Sequence, residues 1–285
     1  MNFFSLIGST FHTLLIVPII NLLVILYHGI NFIHIPFPLG FSIIVLTIII
    51  RLILYPLTSS QIKASKKMME LNPLLSRLKE KYKNDAKALQ SETMKLYKEH
   101  GVNPAAGCLP ILVQLPVIWG LYSVLQLIVK TGPGTLKAIN DTLYISSLRL
   151  AQLWDSSFFG LSLGHRPQDF FKPSVVNSWP ILLVPILTGV FQLVQSKMML
   201  TALPLATDKK IVDPKNDKSK DDFSSAMQTQ MTYLMPVMIG FFSFTFPIGL
   251  SLYWNTFTIF GIIQQYKVSG LGGLKPWLDK IYGRI

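Results

Sequence analysis

The chain has 285 residues, 50% of them hydrophobic and only 14% charged, with a mean hydropathy of +0.44 and a formal net charge of +12. Soluble domains carry nearer about a quarter charged residues, so the composition excludes an ordinary soluble domain and points to an integral membrane protein. The positive excess would suit nucleic acid, but residues 1–50 carry no charged side chain, residues 59–109 carry ten Lys and Arg against five acids, and residues 130–178 carry five against three. Charge gathered in particular loops is a membrane-topology signal rather than a specific nucleic-acid groove.

In chain order, the first apolar segment is Phe11–Ile30, interrupted by Pro18 and Asn21 and ending at His28-Gly29. With so little room before the next run, it reads as an extracytoplasmic helix lying in the interface within 1–38, a true span being the alternative. It lacks the Lys/Arg start of a cleavable signal and is expected to stay in the mature protein. Strong spans are predicted at 39–58, 108–130, 179–200, 229–246 and 247–266, each near the ~20 residues that cross a ~30 Å core.

Between the first two spans, Met68, Leu71, Leu75, Leu78 and Tyr82 recur at helical spacing. Asn84-Asp85 supplies a turn and cap, and Leu89, Met94, Leu96 and Tyr97 continue the pattern to Gly101. This predicts an antiparallel helical hairpin over 59–107. Residues 131–178 form an extracytoplasmic loop rich in Gly, Pro, Ser and aromatics. Residues 201–228 alternate Lys and Asp and read as a flexible cytoplasmic loop, and 267–285 is a cytoplasmic tail. Positive charge on 59–107, 201–228 and the tail places the N-terminus outside and the C-terminus in the cytoplasm.

Arg51 stands in a run otherwise apolar enough to be a span. A guanidinium at that depth costs roughly 2.5–3.5 kcal/mol on insertion scales and marks a functional cavity unless it snorkels to the surface. No Asp or Glu lies in any predicted span, which disfavours proton-coupled transport and intramembrane aspartyl chemistry. Other polar groups in the spans are neutral: Thr47 one turn from Arg51, Gln114, Gln192 and Gln195, then Tyr253, Trp254, Asn255, Thr256 and Thr258. Singly these serve as glue between helices; together with an unpaired Arg they would line one wet, positively charged groove. Met227, Met231, Met235 and Met238 form a stripe suited to packing or to adaptable apolar partners.

Three motifs carry less than they suggest. Gly160-Leu-Ser-Leu-Gly164 followed by His165 matches a nucleophile elbow, but the segment lacks the strand pattern an α/β sheet requires. Ala105-Ala-Gly-Cys108 resembles a lipoprotein box but is internal. The five histidines and the single cysteine have no metal-ligand spacing. No catalytic, cofactor or metal site is expected.

Ile50-Arg-Leu-Ile-Leu-Tyr-Pro-Leu-Thr58, the run Leu96–Pro116, Phe191-Gln-Leu-Val-Gln-Ser-Lys-Met198, Tyr233-Leu-Met-Pro-Val-Met238, Phe246–Trp254 and Ile262-Ile-Gln-Gln265 resemble the YidC/Oxa/Alb membrane protein insertases, over about 39–130 and 180–266. The resemblance implies an all-α integral membrane fold: five transmembrane helices around a hydrophilic groove open to cytosol and lipid, with a cytoplasmic hairpin. It also implies insertion and chaperoning of nascent membrane proteins at a bacterial plasma membrane, with the lipid bilayer, the ribosome and the Sec translocon as partners. By resemblance Arg51 is the groove arginine, Thr47 and Trp254 fall at substrate-contacting positions, and Gln114 lines the cavity. Trp254 replaces the commoner tyrosine, the large extracytoplasmic domain of Gram-negative members is absent, and the tail is short for ribosome docking. From another class, a small anion channel or solute carrier would use Arg51 as an anion site.

Overall fold

A computed structural model describes residues 8–83, 85–103, 109–129, 134–171, 179–199 and 230–283. The predicted linker 201–228, Met227, Asn84 and Cys108 lie outside these. The chain divides into two compact units, one of Met1–Ile53, Leu112–Phe191 and Val237–Phe260, the other of Leu54–Ile111, Gln192–Pro236 and Gly261–Ile285.

In the first unit, α1 (Gly8–Phe32) contains a π-helical turn, His12–Ile16, just before Pro18, whose missing N–H interrupts the helical ladder. Left-handed backbone at His34 and Phe37 reverses the chain into α2 (Pro38–Ile53). Ile19, Ile20, Leu23 and Val24 of α1 share one core with Leu39, Ile43 and Leu46 of α2. Leu121, Val124 and Leu125 of α6 (Leu109–Val129) join it, as does Ile139 of α7 (Thr135–Asp141).

The predicted interfacial segment therefore sits in a helix of 25 residues, apolar and long enough to span. The polar residues that interrupted its pattern have local uses. Asn21 Nδ2 donates to the Thr142 and Val17 carbonyls, both at 2.9 Å, and its Oδ1 accepts from Tyr144 N–H at 2.7 Å. His28 Nε2 lies 3.0 Å from the Leu148 carbonyl oxygen.

These contacts fasten segment 134–171, which is more ordered than a loop. Its antiparallel hairpin pairs β1 (Ser157–Phe158) with β2 (Leu161–Ser162) across Phe159-Gly160, whose φ angles of 48° and 80° suit a primed two-residue turn. Phe158 covers Gly40 so closely that any Cβ there would run into its ring. No strand-turn-helix forms at Ser162, so the elbow geometry is absent. The carbonyls of Leu163 and His165 instead accept the Gly249 and Ile248 N–H groups at 2.8 and 2.9 Å. They satisfy donors that the start of α10 (Ile248–Ser269) would otherwise leave unpaired.

The other long helices are α8 (Leu183–Met199), entered through a 3₁₀ turn at Trp179–Leu182, and α9 (Met235–Thr245), entered through a π turn at Gln230–Leu234. A helix thus lies over each predicted strong span. Two helices, Gly8–Phe32 and Trp179–Met199, are each long and apolar enough to cross a bilayer, and Pro38–Ile53 with Tyr55–Met68 makes a third if counted as one span. The chain is an all-α, multi-pass membrane protein.

The span predicted as continuous over 39–58 breaks at Leu54. Pro56 cannot donate to the carbonyl of Leu52, and its ring disfavours helical backbone at Tyr55 in a helix interior. It is tolerated in the first turn of α3 (Tyr55–Glu70), which belongs to the second unit. There α4 (Asn72–Lys81) and α5 (Ala86–Glu99) form the expected hairpin, with the Asp85 carboxylate accepting Ala88 N–H at 3.0 Å as the cap. A cleft of about 310 Å³ between the arms is lined by Leu74, Leu78, Lys81, Glu92, Leu96 and Glu99 among others. The described tail is not featureless: left-handed Gly270 and Gly272 turn it into α11 (Lys275–Tyr282).

Candidate functional site

Arg51 occupies the last turn of α2, and Phe257 stands mid-way along α10. Only 5% of Arg51 is exposed. Its Nε and Nη2 both donate to the Phe257 carbonyl, at 3.1 and 2.6 Å, and its guanidinium carbon lies 3.3 Å from the centre of the Phe257 ring and 5.9 Å from that of Phe260. Among the described residues no carboxylate pairs with it. The sequence offered a wet cavity or a snorkelling side chain; the structure holds the cation closed against a neighbouring helix. The physical reason is availability. An apolar span offers a cation only backbone oxygens and ring faces, and this pair supplies both. Hydrogen bonds to a charged group contribute roughly 1.5–3 kcal/mol and a desolvated cation–π contact about 2. Burying the ion costs several. These contacts offset that cost.

Thr47 lies one turn before Arg51, 1% exposed, and its hydroxyl donates to the Ile43 carbonyl at 2.6 Å. Only its oxygen lone pairs remain for another partner. Tyr253 is buried, its ring centre 5.8 Å from that of Phe257. Asn255 Oδ1 and Thr258 Oγ1 are both buried with no hydrogen-bond partner among the described residues. Unsatisfied polar atoms are uncommon inside proteins, and two stand within one turn of the carbonyl that holds Arg51.

Trp254 is half-buried and borders a small cavity with Ile239, Phe242, Phe246 and Leu250. Three hydroxyls at this cavity join three helices: Thr188 and Ser243 are 3.2 Å apart, Ser243 and Ser251 2.8 Å.

The structure therefore gathers Arg51, Thr47, Tyr253, Trp254 and Asn255 in the first unit. Gln114 lies on α6 in that unit, its side chain outside the described ones. Gln192 and Gln195 are half-buried on α8 and fall in the second unit. Sequence reasoning missed Phe257, because one of its contributions is a main-chain oxygen and the other is a ring like any other in an apolar helix. It also missed Thr188, Ser243 and Ser251, although one small hydroxyl in each of three apolar helices was a usable signal. A further polar cluster escaped it in the second unit: Gln264 Nε2 lies 2.6 Å from Thr58 Oγ1, 3.0 Å from Ser59 Oγ and 3.1 Å from the Tyr55 carbonyl.

The model of the 60Kd inner membrane protein family matches residues 31–271. Among curated relatives, a membrane protein insertase YidC of Fusobacterium nucleatum is 35% identical over 233 residues, covering 82% of this chain and 87% of that protein. The YidC of Oceanobacillus iheyensis is 34% identical, covering 85% and 76%. The chloroplast inner membrane protein ALBINO3 of Arabidopsis thaliana is 32% identical, covering 92% of this chain and 53% of that protein.

Proposed function

We propose that this chain, which belongs to the 60Kd inner membrane protein family of YidC/Oxa/Alb insertases, inserts nascent membrane proteins into a lipid bilayer and helps them fold. The observation that carries the mechanism is Arg51, a buried cation whose recorded partners are one neutral carbonyl and two ring faces. In this reading the closed form is the resting state. A client's short acidic or polar outer tail offers a carboxylate in place of the Phe257 carbonyl. Charge-assisted bonds are roughly twice as strong as neutral ones, and the low dielectric of the site magnifies the difference, so the exchange favours the client.

Release of Phe257 opens a hydrophilic groove. Asn255 and Thr258, unsatisfied in the resting form, then bond the passing backbone that hydrocarbon would leave bare, with Thr47, Gln114, Tyr253 and Trp254 along the path. The client's apolar span leaves sideways into lipid, a transfer worth about 25 cal/mol per Å² of apolar surface buried. In this reading nucleotide and metal are not needed. The membrane is a bacterial plasma membrane crossed by the five predicted strong spans, with α1 lying in its outer interface, the N-terminus outside and the hairpin and tail in the cytoplasm, where ribosome and Sec translocon are met.

Reconstitution into liposomes with a Sec-independent, single-span client tests the proposal. Insertion is expected as protease protection that depends on this protein, and a stalled client should crosslink to Trp254→Cys in a Cys108→Ser background. Absence of protection with a folded protein would reject the insertase reading, and anion flux in its place would favour the channel.

A further inference from the structure

Helix α11 lies beyond the last predicted span, and three observations within the second unit fix its level. Gln265 Nε2 donates to the Met198 carbonyl at 3.4 Å, so the end of α8 stands beside the last turns of α10. Lys197, in that end of α8, places its ammonium 4.8 Å from the Trp277 ring centre and 5.5 Å from that of Tyr233. Ile263 and Tyr266, both exposed, continue the outward apolar stripe of α10 to an aromatic, followed at once by Lys267. Aromatic rings and lysines at the ends of apolar helices belong to the membrane–water interface. The turn at Gly270–Gly272 thus brings α11 back to the level of Lys197 instead of letting it extend away.

The helix is built for that level. Trp277 and Ile281, four residues apart on one face, are 49% and 46% exposed, while Leu274 is buried just before the helix. Lys280 borders the apolar face and is exposed, while Lys275 and Asp279, one turn apart and also exposed, share the opposite side. An apolar stripe bordered by Lys280, beside Lys197 and Lys267, fits a surface that is apolar within and negative outside.

We propose that α11 is an interfacial anchor, seated in the headgroup layer of the leaflet bordering the α8 C-terminus and selective for anionic phospholipid. The inference needs only the chain's membrane residence and is independent of insertase activity. To test it, the full chain in a Cys108→Ser background is spin-labelled through Ile281→Cys or Asp279→Cys and reconstituted in phosphatidylcholine vesicles, with or without phosphatidylglycerol.

The label at 281 should be several-fold more accessible to oxygen, relative to a water-soluble nickel complex, than the label at 279, and phosphatidylglycerol should widen the gap. Lys275→Gln with Lys280→Gln should abolish the lipid dependence while the mobility of the 279 label stays that of a helix. Equal water access at both positions would overturn the anchor. So would a depth indifferent to phosphatidylglycerol, or a lipid dependence that survives loss of both lysines.

Discussion

Asn21 in α1 and Arg51 in α2 stand in two helices packed on each other, each the polar break in an apolar run. Asn21 commits both its amide hydrogens and its oxygen, donating to Thr142 and Val17 and accepting from Tyr144. Arg51 has five N–H donors, yet its recorded bonds run from Nε and Nη2 to a single carbonyl. A polar group whose donors are all committed to the fold is fastening it. One with capacity left over, buried and charged, is held ready for something else. That difference, rather than polarity itself, separates structure from function here.

The contrast predicts opposite phenotypes. The largest effect falls on Arg51: Arg51→Ala should lower insertion of an acidic-tailed client by about tenfold to a hundredfold, the equivalent of roughly 1.5–3 kcal/mol of lost charge-assisted bonding. Arg51→Lys should retain most of the activity, and a client with a neutral tail should respond far less. Protease protection in proteoliposomes measures all three. Equal loss in both variants would show that Arg51, like Asn21, is only a fastener.

Asn21→Ala should do the reverse. Leaving the Thr142 carbonyl and Tyr144 N–H without their partner costs about 2–3 kcal/mol, seen as a lower melting temperature in detergent, while the folded fraction keeps its insertion activity. Gly40→Ala probes the same fastening from the other side. The new Cβ displaces the Phe158 ring at about 1–3 kcal/mol of overpacking, and Phe158→Ala in the same chain should recover part of the loss.

This contrast also marks how far the sequence could be read. Helices over the strong spans, the hairpin with its Asp85 cap and the singular position of Arg51 follow from hydropathy, period and charge, which are local properties. The break at Leu54 was legible in Pro56, but the apolar run on both sides of it argued more loudly. The length of α1 was obscured by Asn21 and His28, whose partners Thr142, Tyr144 and Leu148 lie more than a hundred residues away in sequence. The closed state of Arg51 was out of reach for a different reason. Its partner is the backbone of Phe257, and a main-chain oxygen leaves no mark in a sequence.

Smaller effects extend the comparison to groups in between. Thr188, Ser243 and Ser251 bond one another inside the first unit, and Thr188 also donates to the Val184 carbonyl, so by the same rule they are fasteners of helices before they are partners for a client. Ser243→Ala should cost about 1 kcal/mol, the net worth of an ordinary buried hydrogen bond, with insertion unchanged. A strong insertion defect in a stable Ser243→Ala protein would mean that satisfied hydroxyls also serve the path, and the distinction would fail.

The smallest effect concerns a fastener at the surface. The Asp155 carboxyl accepts the Ser157 hydroxyl at 2.6 Å and the Ser157 N–H at 2.9 Å, and these bonds hold its pKa below the ordinary carboxylate value. A carboxyl with a lowered folded pKa adds stability above its unfolded pKa and loses it as pH falls through the folded one. The β1–β2 hairpin should therefore loosen only in acid, below about pH 4, and Asp155→Asn should abolish that dependence. Because the group is solvated, the change belongs to hydrogen exchange at Ser157 N–H rather than to global melting. A loss beginning near neutral pH would show that Asp155 is not the group responsible.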